Sequence, residues 1–142
     1  MNKINKNKEP KIGDIFLVNF SGSDSEQNGL RPGLVFQNNV GNEFSPNLIM
    51  LPLTTSIKKM SQPTHVFLPK EVGLLRDSII LCENPERISK KKLVGYITTL
   101  DNEYMSKVAV GSLLSSSAIS FIDPDLLLSV WQEALALNAI AV

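Results

Sequence analysis

Residues 25–38 read Ser-Glu-Gln-Asn-Gly-Leu-Arg-Pro-Gly-Leu-Val-Phe-Gln-Asn, a polar loop that turns into an apolar run with strand character. Arg31 stands at the junction, and Pro32 follows it. Proline fixes φ and removes a backbone donor, which suits the first residues of a strand or an edge position. It also pushes the preceding residue toward extended geometry. Arg31 is therefore expected where loop becomes sheet, its backbone anchored and its side chain turned to a cleft. Such a place suits chemistry on an anion.

Working outward, strands are expected over 13–20, which is enriched in β-branched and aromatic residues, and over the apolar runs 33–37, 48–53 (interrupted by Pro52), 64–68 and 78–82. Polar loops separate them at Ser21–Gly29 and Asn38–Pro46, with a basic turn at Lys58–Gln62. Thr54, Thr55 and Ser56 end the third strand in hydroxyls, and Lys90–Lys92 form a basic patch ahead of Gly95-Tyr96-Ile97. Short strands at this spacing predict a mainly β chain: a small closed barrel or a tight sandwich. The period changes at Asp101. Leu100, Tyr104, Val108 and Leu114 make a helical stripe capped by Asp101 and running to about Ser117. Asp123-Pro124 signals a second helix over 126–141, apolar almost all round. Leu127, Val130, Trp131, Ala134 and Leu137 of that helix are expected to pack on the domain or across a dimer. The chain thus divides into a flexible N-terminal arm (1–11), a barrel domain with its helix (12–120) and an extra C-terminal helix (121–142).

Length and composition bound the function. The 142 residues suit a single domain, and 14 basic against 14 acidic side chains argue against a nonspecific nucleic-acid coat. The balance hides an asymmetry, since Lys107 is the only basic residue after Leu100. A locally positive face for a polyanion is thus compatible with zero net charge. Cys82 is the single cysteine, which rules out an intrachain disulfide and suits a reducing cytoplasm; its apolar neighbours predict inert packing in a strand. The N-terminus has no signal-peptide core, and no apolar run reaches the ~20 residues of a membrane span, so a soluble protein is expected.

No metal site assembles, because the one histidine and one cysteine are far apart in the chain and the carboxylates lack ligand spacing. His65, mid-strand with no nucleophile motif nearby, reads as a hydrogen-bonded structural residue. Glycines 22, 29 and 33 open no helix, so no phosphate loop and no cofactor is expected. What remains is Arg31 with Thr54. A guanidinium forks onto two phosphate oxygens, a threonine hydroxyl donates to a third, and Glu26 supplies a carboxylate able to accept a proton. Together these suit cleavage of RNA, whose 2′-OH is a built-in nucleophile. From these residues alone, Arg31 salt-bridged to the loop Glu26 is the simpler account.

Gly13-Asp14-Ile15, then Ser25-Glu26-Gln27-Asn28-Gly29-Leu30-Arg31-Pro32-Gly33-Leu34-Val35, resembles the MazF/PemK family of toxin endoribonucleases. The resemblance continues through Pro52-Leu53-Thr54-Thr55, Pro63-Thr64-His65-Val66, Gly73-Leu74 and Asp77-Ser78-Ile79-Ile80-Leu81, over about residues 12–120. It implies an SH3-like barrel with C-terminal helices and a cytoplasmic homodimer inhibited by a cognate antitoxin. The implied reaction is metal-independent, sequence-specific cleavage of single-stranded RNA to a 2′,3′-cyclic phosphate and a 5′-OH, with no cofactor, no membrane and no DNA. By position, Arg31 and Thr54 match the catalytic pair and Ser25, Glu26 and Gln27 the loop that closes on RNA, with Glu26 a candidate base. Thr55, Lys58, Gln62, Glu83 and Asn84 complete the RNA-binding set. The usual E-Q-[IV]-R-T-[IL] is replaced by Glu83-Asn84-Pro85-Glu86-Arg87-Ile88, so the preferred RNA sequence is expected to differ, with Glu86 turned away from the phosphates. The alternatives are a CcdB-like gyrase-binding toxin, suggested by Trp131 near the C-terminus, and an inactive interaction module on the same fold.

Overall fold

Short apolar segments pairing antiparallel form the central sheet of the computed structural model, in which residues 7–20, 29–56 and 62–140 are described. The strands are β1 (Asp14–Asn19), β2 (Leu30–Val35), β3 (Asn47–Thr54), β4 (His65–Leu68), β5 (Ser78–Leu81), β6 (Glu86–Ser89) and β7 (Leu93–Thr99). The helices are α1 (Asn39–Phe44), α2 (Asn102–Ser115) and α3 (Leu127–Ile140). The sheet order is β4-β5-β3-β2-β1-β7, with β6 also on β3. The outer edge of β3 is divided: Asn47–Met50 pair with β6, Leu53 and Thr54 with β5. Pro52 falls between the two ladders and does not end the strand, a position where proline is tolerated. No ladder joins β7 back to β4 or β6 among the described residues, so the expected closed barrel is an open seven-stranded antiparallel sheet.

Both faces of this sheet are buried, which is why its strands read as nearly continuous apolar runs. Ile15, Leu34, Leu51 and Leu53 face one way, against Val66, Leu68 and Ile80 of the β4–β5 pair and Val108 of α2. Phe16, Val18, Val35, Leu48 and Met50 face the other, with Phe20 and Ile88. Asp101 caps α2 by accepting from the Tyr104 N–H at 3.1 Å, as its position predicts. Gly111 lets α2 approach β5 closely, since a Cβ there would stand 3.0 Å from Cys82 Sγ.

Two strands and one helix lie outside the expected elements. The Asn38–Pro46 segment holds α1, a six-residue helix whose cap Asn38 accepts from the Gly41 N–H at 2.9 Å. Six residues with a central glycine are too short to show a period. β6 has mixed polarity and no turn signal of its own, and pairing with β3 forms it, while β7 carries strand formers and pairs with β1.

Asp14 ties three segments together. Its buried carboxylate accepts from Lys8 Nζ (2.5 Å), the Lys11 N–H (2.9 Å) and Thr99 Oγ1 (2.6 Å), so residues 7–11 lie against the domain. Asp123 accepts from the Asp125 N–H with Pro124 in the first turn, and leads into α3 as expected. α3 meets its own domain chiefly at α1, where Asn138 Oδ1 accepts from the Asn39 N–H at 3.1 Å. Leu127, Val130 and Trp131 remain 40, 46 and 59% exposed, so the domain does not cover this stripe.

Cys82 is buried, and burial pushes its thiol up to about 11, with Glu83 adding to the rise and a hydrogen bond to Ser112 opposing it. Only the thiolate attacks alkylating reagents. Native protein at pH 8 is therefore expected to resist iodoacetamide for hours and to react at once in denaturant. Rapid native labelling, read by intact mass, would contradict the packing described.

Candidate active site at the end of the central sheet

β2 and β3 pair with Gly33 opposite Pro52, Leu34 opposite Leu51 and Val35 opposite Met50. Carrying that register two residues further sets Arg31 opposite Thr54. Facing residues of an antiparallel pair project on one side, so both belong to the face of Gly33, Val35 and Met50. The same row continues outward, with Val18 across from Arg31 on β1 and Ile79 across from Thr54 on β5. An arginine and a hydroxyl 23 positions apart in sequence thus share one end and one face of the sheet.

Both side chains are half-buried. Arg31 has Val18 and Phe20 packed behind it, each at most 1% exposed. At Gly33 a Cβ would stand 3.2 Å from Met50 Cε and 3.3 Å from Phe20 Cζ, so those two buried side chains fill the space over Gly33. Thr54 Oγ1 accepts from the Ser56 N–H at 3.1 Å, which occupies one lone pair and leaves its O–H to donate elsewhere. Thr55 and Ser56 are exposed beside it, as is Gln62.

The rim beyond β5 is held by a hydrogen bond between His65 and Glu83. His65 Nε2 lies 2.7 Å from Glu83 Oε1, and the imidazole is 5% exposed. This fits the structural role expected for His65 and gives it a more specific one: it fastens the turn carrying Glu83 and Asn84. Asn84 is exposed, its N–H donating to Leu81 O at 3.1 Å. Ser25, Glu26, Gln27 and Lys58 lie outside the described residues, so this geometry concerns Arg31, Thr54, Thr55, Gln62, Glu83 and Asn84 alone.

Glu86 departs from its expected orientation. It pairs with Met50, so it projects on the face of Met50, Gly33 and Arg31 and not away from it. Its neighbour Arg87 takes the other face, where, with the Asn47 amide turned over to satisfy both groups, its Nε and Nη2 donate to the amide oxygen at 3.3 and 3.1 Å. The alternation of a strand decides this, and β6 was not legible as a strand. No group of three or more histidine, cysteine, aspartate or glutamate side chains suited to a metal occurs among the described residues.

Comparison with known proteins places this geometry. Residues 11–111 match the model of the PemK-like, MazF-like toxins of type II toxin–antitoxin systems. The chain belongs to the PemK/MazF toxin family. The toxin is 43% identical over 113 residues to endoribonuclease EndoA of Bacillus subtilis (strain 168), spanning 78% of this chain and 97% of that protein. Its fold matches an endoribonuclease from Mycobacterial species, solved in complex with its cognate antitoxin, with a TM-score of 0.65 at 21% identity. That match covers 81% of this chain and 99% of the other. MazF from Deinococcus radiodurans superposes with a TM-score of 0.64 at 21% identity, over 78% and 100%. The match to the family model ends within α2, so α3 lies beyond it.

Proposed function

We propose that this toxin is an endoribonuclease that cleaves single-stranded RNA at short sequences, with the substrate's own 2′-OH as nucleophile and Arg31 and Thr54 as the reacting-site residues. The reading is supported by the β2–β3 register, which, continued two residues past the Gly33–Pro52 pair, brings Arg31 and Thr54 to one face at one sheet end. Attack of the 2′-oxygen on phosphorus forms a 2′,3′-cyclic phosphate and breaks the bond to the 5′-oxygen. Negative charge builds on the nonbridging oxygens as the phosphorus becomes pentacovalent. Arg31 offers paired N–H donors and a fixed charge to those oxygens, and Thr54 a further donor. A base takes the 2′-OH proton, with Glu26 the candidate, and the leaving 5′-oxygen takes a proton from Arg31, which water then restores. Supplying the nucleophile from the substrate converts attack into an intramolecular step, so the protein's task is positioning and charge stabilisation. Ser25, Gln27, Thr55, Lys58, Gln62, Glu83 and Asn84 then hold the flanking nucleotides.

The toxin is further read as a cytoplasmic homodimer held inactive by an antitoxin laid over this face. The support is the family itself, together with the relatives solved with their antitoxins. No helix among the described residues is long and apolar enough to cross a membrane.

Purified toxin incubated with a long RNA in EDTA is expected to give discrete fragments ending in 2′,3′-cyclic phosphate and 5′-OH. One 2′-deoxy nucleotide on the 5′ side of a mapped cut should abolish that cut and leave the others. Cleavage that persists at the deoxy position would remove the 2′-OH from the mechanism. An RNA left whole while a gyrase assay responds would favour a gyrase-binding toxin.

A further inference from the structure

The row of paired residues that runs through Arg31 and Thr54 does not end at β5. Ile79, across from Thr54, stands in turn across from Phe67 on β4, the edge strand of the sheet. Directly paired residues of antiparallel strands share a face, so Phe67 projects on the side of Thr54 and Arg31. Two strand spacings separate it from Thr54, roughly 10 Å. Ile79 fills the row between them at 1% exposed, and the surface opens again at Phe67, which is 39% exposed. Two residues back along β4, roughly 7 Å away, His65 holds Glu83. Gln62 closes the turn ahead of that strand, its carbonyl accepting from the His65 N–H at 3.0 Å. Phe67 therefore lies on the ground between the reacting pair and the turn carrying Glu83 and Asn84.

No other ring shares this position. Four aromatic side chains are exposed among the described residues. Phe44 stands on α1, beyond the Asn47 end of β3, Phe121 in the turn that follows α2, and Trp131 on α3. Of these, Phe67 alone stands on a strand and on the face of the candidate site. Edge strands are commonly blunted with charge or proline, whereas His65-Val66-Phe67-Leu68 turns a phenyl ring to water. The other residues assigned to RNA are polar. Their hydroxyls, amides, carboxylates and ammonium can hold phosphates, ribose hydroxyls and base edges, but they offer no surface to the flat face of an unpaired base. Single-stranded RNA is held by stacking such faces on aromatic side chains, including rings that project from a sheet.

We propose that Phe67 is a stacking platform for one base of the bound RNA, at a nucleotide near the scissile phosphate, and that it adds affinity without choosing the base. The proposal deepens the nuclease reading and rests on it. Every base has a π-face, so a phenyl ring tolerates any sequence. The stacked base is remote from the bond that breaks. Its contact is the same in the bound substrate and in the transition state, so its loss should appear in KM and not in kcat.

The test compares wild-type toxin, Phe67→Leu and Phe67→Tyr on a short RNA carrying one mapped cut site, and on a set of the same RNA with a single abasic nucleotide at each flanking position in turn. Phe67→Leu keeps an apolar side chain beside Ile79 and removes the π-face, so its melting temperature should stay near wild type. It is expected to raise KM by about tenfold, within the range for one stacked base, with kcat and the cut sequence unchanged. Phe67→Tyr should behave as wild type. One abasic position should cost the wild type a similar factor and cost Phe67→Leu nothing further, because both changes remove the same contact. An unchanged KM in Phe67→Leu overturns the proposal. So does a raised KM with the abasic penalties all intact, which would make the ring structural. A shifted cut sequence would assign Phe67 to base selection, and a fall in kcat alone to positioning of the reacting atoms; either result rejects the platform. A wild type that cuts no RNA at all is a different failure: it removes the nuclease reading, and this assignment with it.

Discussion

Arg31→Ala is expected to slow RNA cleavage by about 10²–10³-fold or more under single-turnover conditions, the usual cost of removing one preorganised donor to a transition-state oxyanion. The effect should appear in the chemical step, because the guanidinium meets its full complement of charge only when the phosphorus is pentacovalent. Arg31→Lys should recover little, since an ammonium is a point charge and cannot fork onto two oxygens. Thr54→Ala belongs to the same unit, so the double variant should lose less than the product of the single losses. The fold should tolerate these changes. Arg31 lies at the start of β2, where its ladder partner Val18 on β1 fixes the backbone, and only part of its side chain is buried. A melting temperature within a few degrees of wild type is the control. An Arg31→Ala toxin that cuts at the wild-type rate would show that the register-matched pair is structural.

Asp14→Ala carries the largest expected stability effect among the polar residues, about 2–4 kcal/mol in a denaturant titration. The carboxylate is 1% exposed and satisfies three donors from two segments, Lys8 and Lys11 ahead of β1 and Thr99 of β7. Thr99 Oγ1 in turn lies 2.7 Å from Tyr96 OH, whose ring stands edge-on to Phe16. Removing Asp14 leaves the Lys11 N–H and the Thr99 hydroxyl without their acceptor and releases Lys8, whose ammonium is 5.0 Å from the Tyr96 ring centre. Lys8 is partly exposed and can turn to water, which keeps the cost below that of a fully buried pair. Lys8→Ala should therefore cost much less than Asp14→Ala. Equal costs would mean that the ion pair, and not the buried acceptor, holds the arm to β1. The cleavage chemistry should survive in whatever fraction remains folded, because Asp14 begins β1 whereas Arg31 pairs near the other end of that strand.

Local signals sufficed wherever one residue type had one mechanism. Pro32 marks Arg31 as the start of a strand because a fixed φ and a missing donor act within one residue of the chain. Asp101 and Asp123-Pro124 mark helix starts for a similarly local reason, the unpaired N–H groups of a first turn. Apolar runs located β1 to β5. β6 and α1 escaped because their sequences are indifferent: Glu86-Arg87-Ile88-Ser89 becomes a strand by lying against β3, and no window of four residues carries that information; β7 does carry strand formers in Val94, Tyr96, Ile97, Thr98 and Thr99.

By itself the sequence determined the family motif, the loop-to-strand position of Arg31, the hydroxyls that end β3 and the inertness of Cys82, all properties of neighbouring residues. Tertiary structure alone decided that Arg31 and Thr54 belong to one face of the sheet, that His65 fastens Glu83 and that Glu86 faces the same side. Each of these depends on which residue of one strand stands across from which residue of another. Side chains alternate faces along a strand, so a shift of one position would have turned every one of them to the other side.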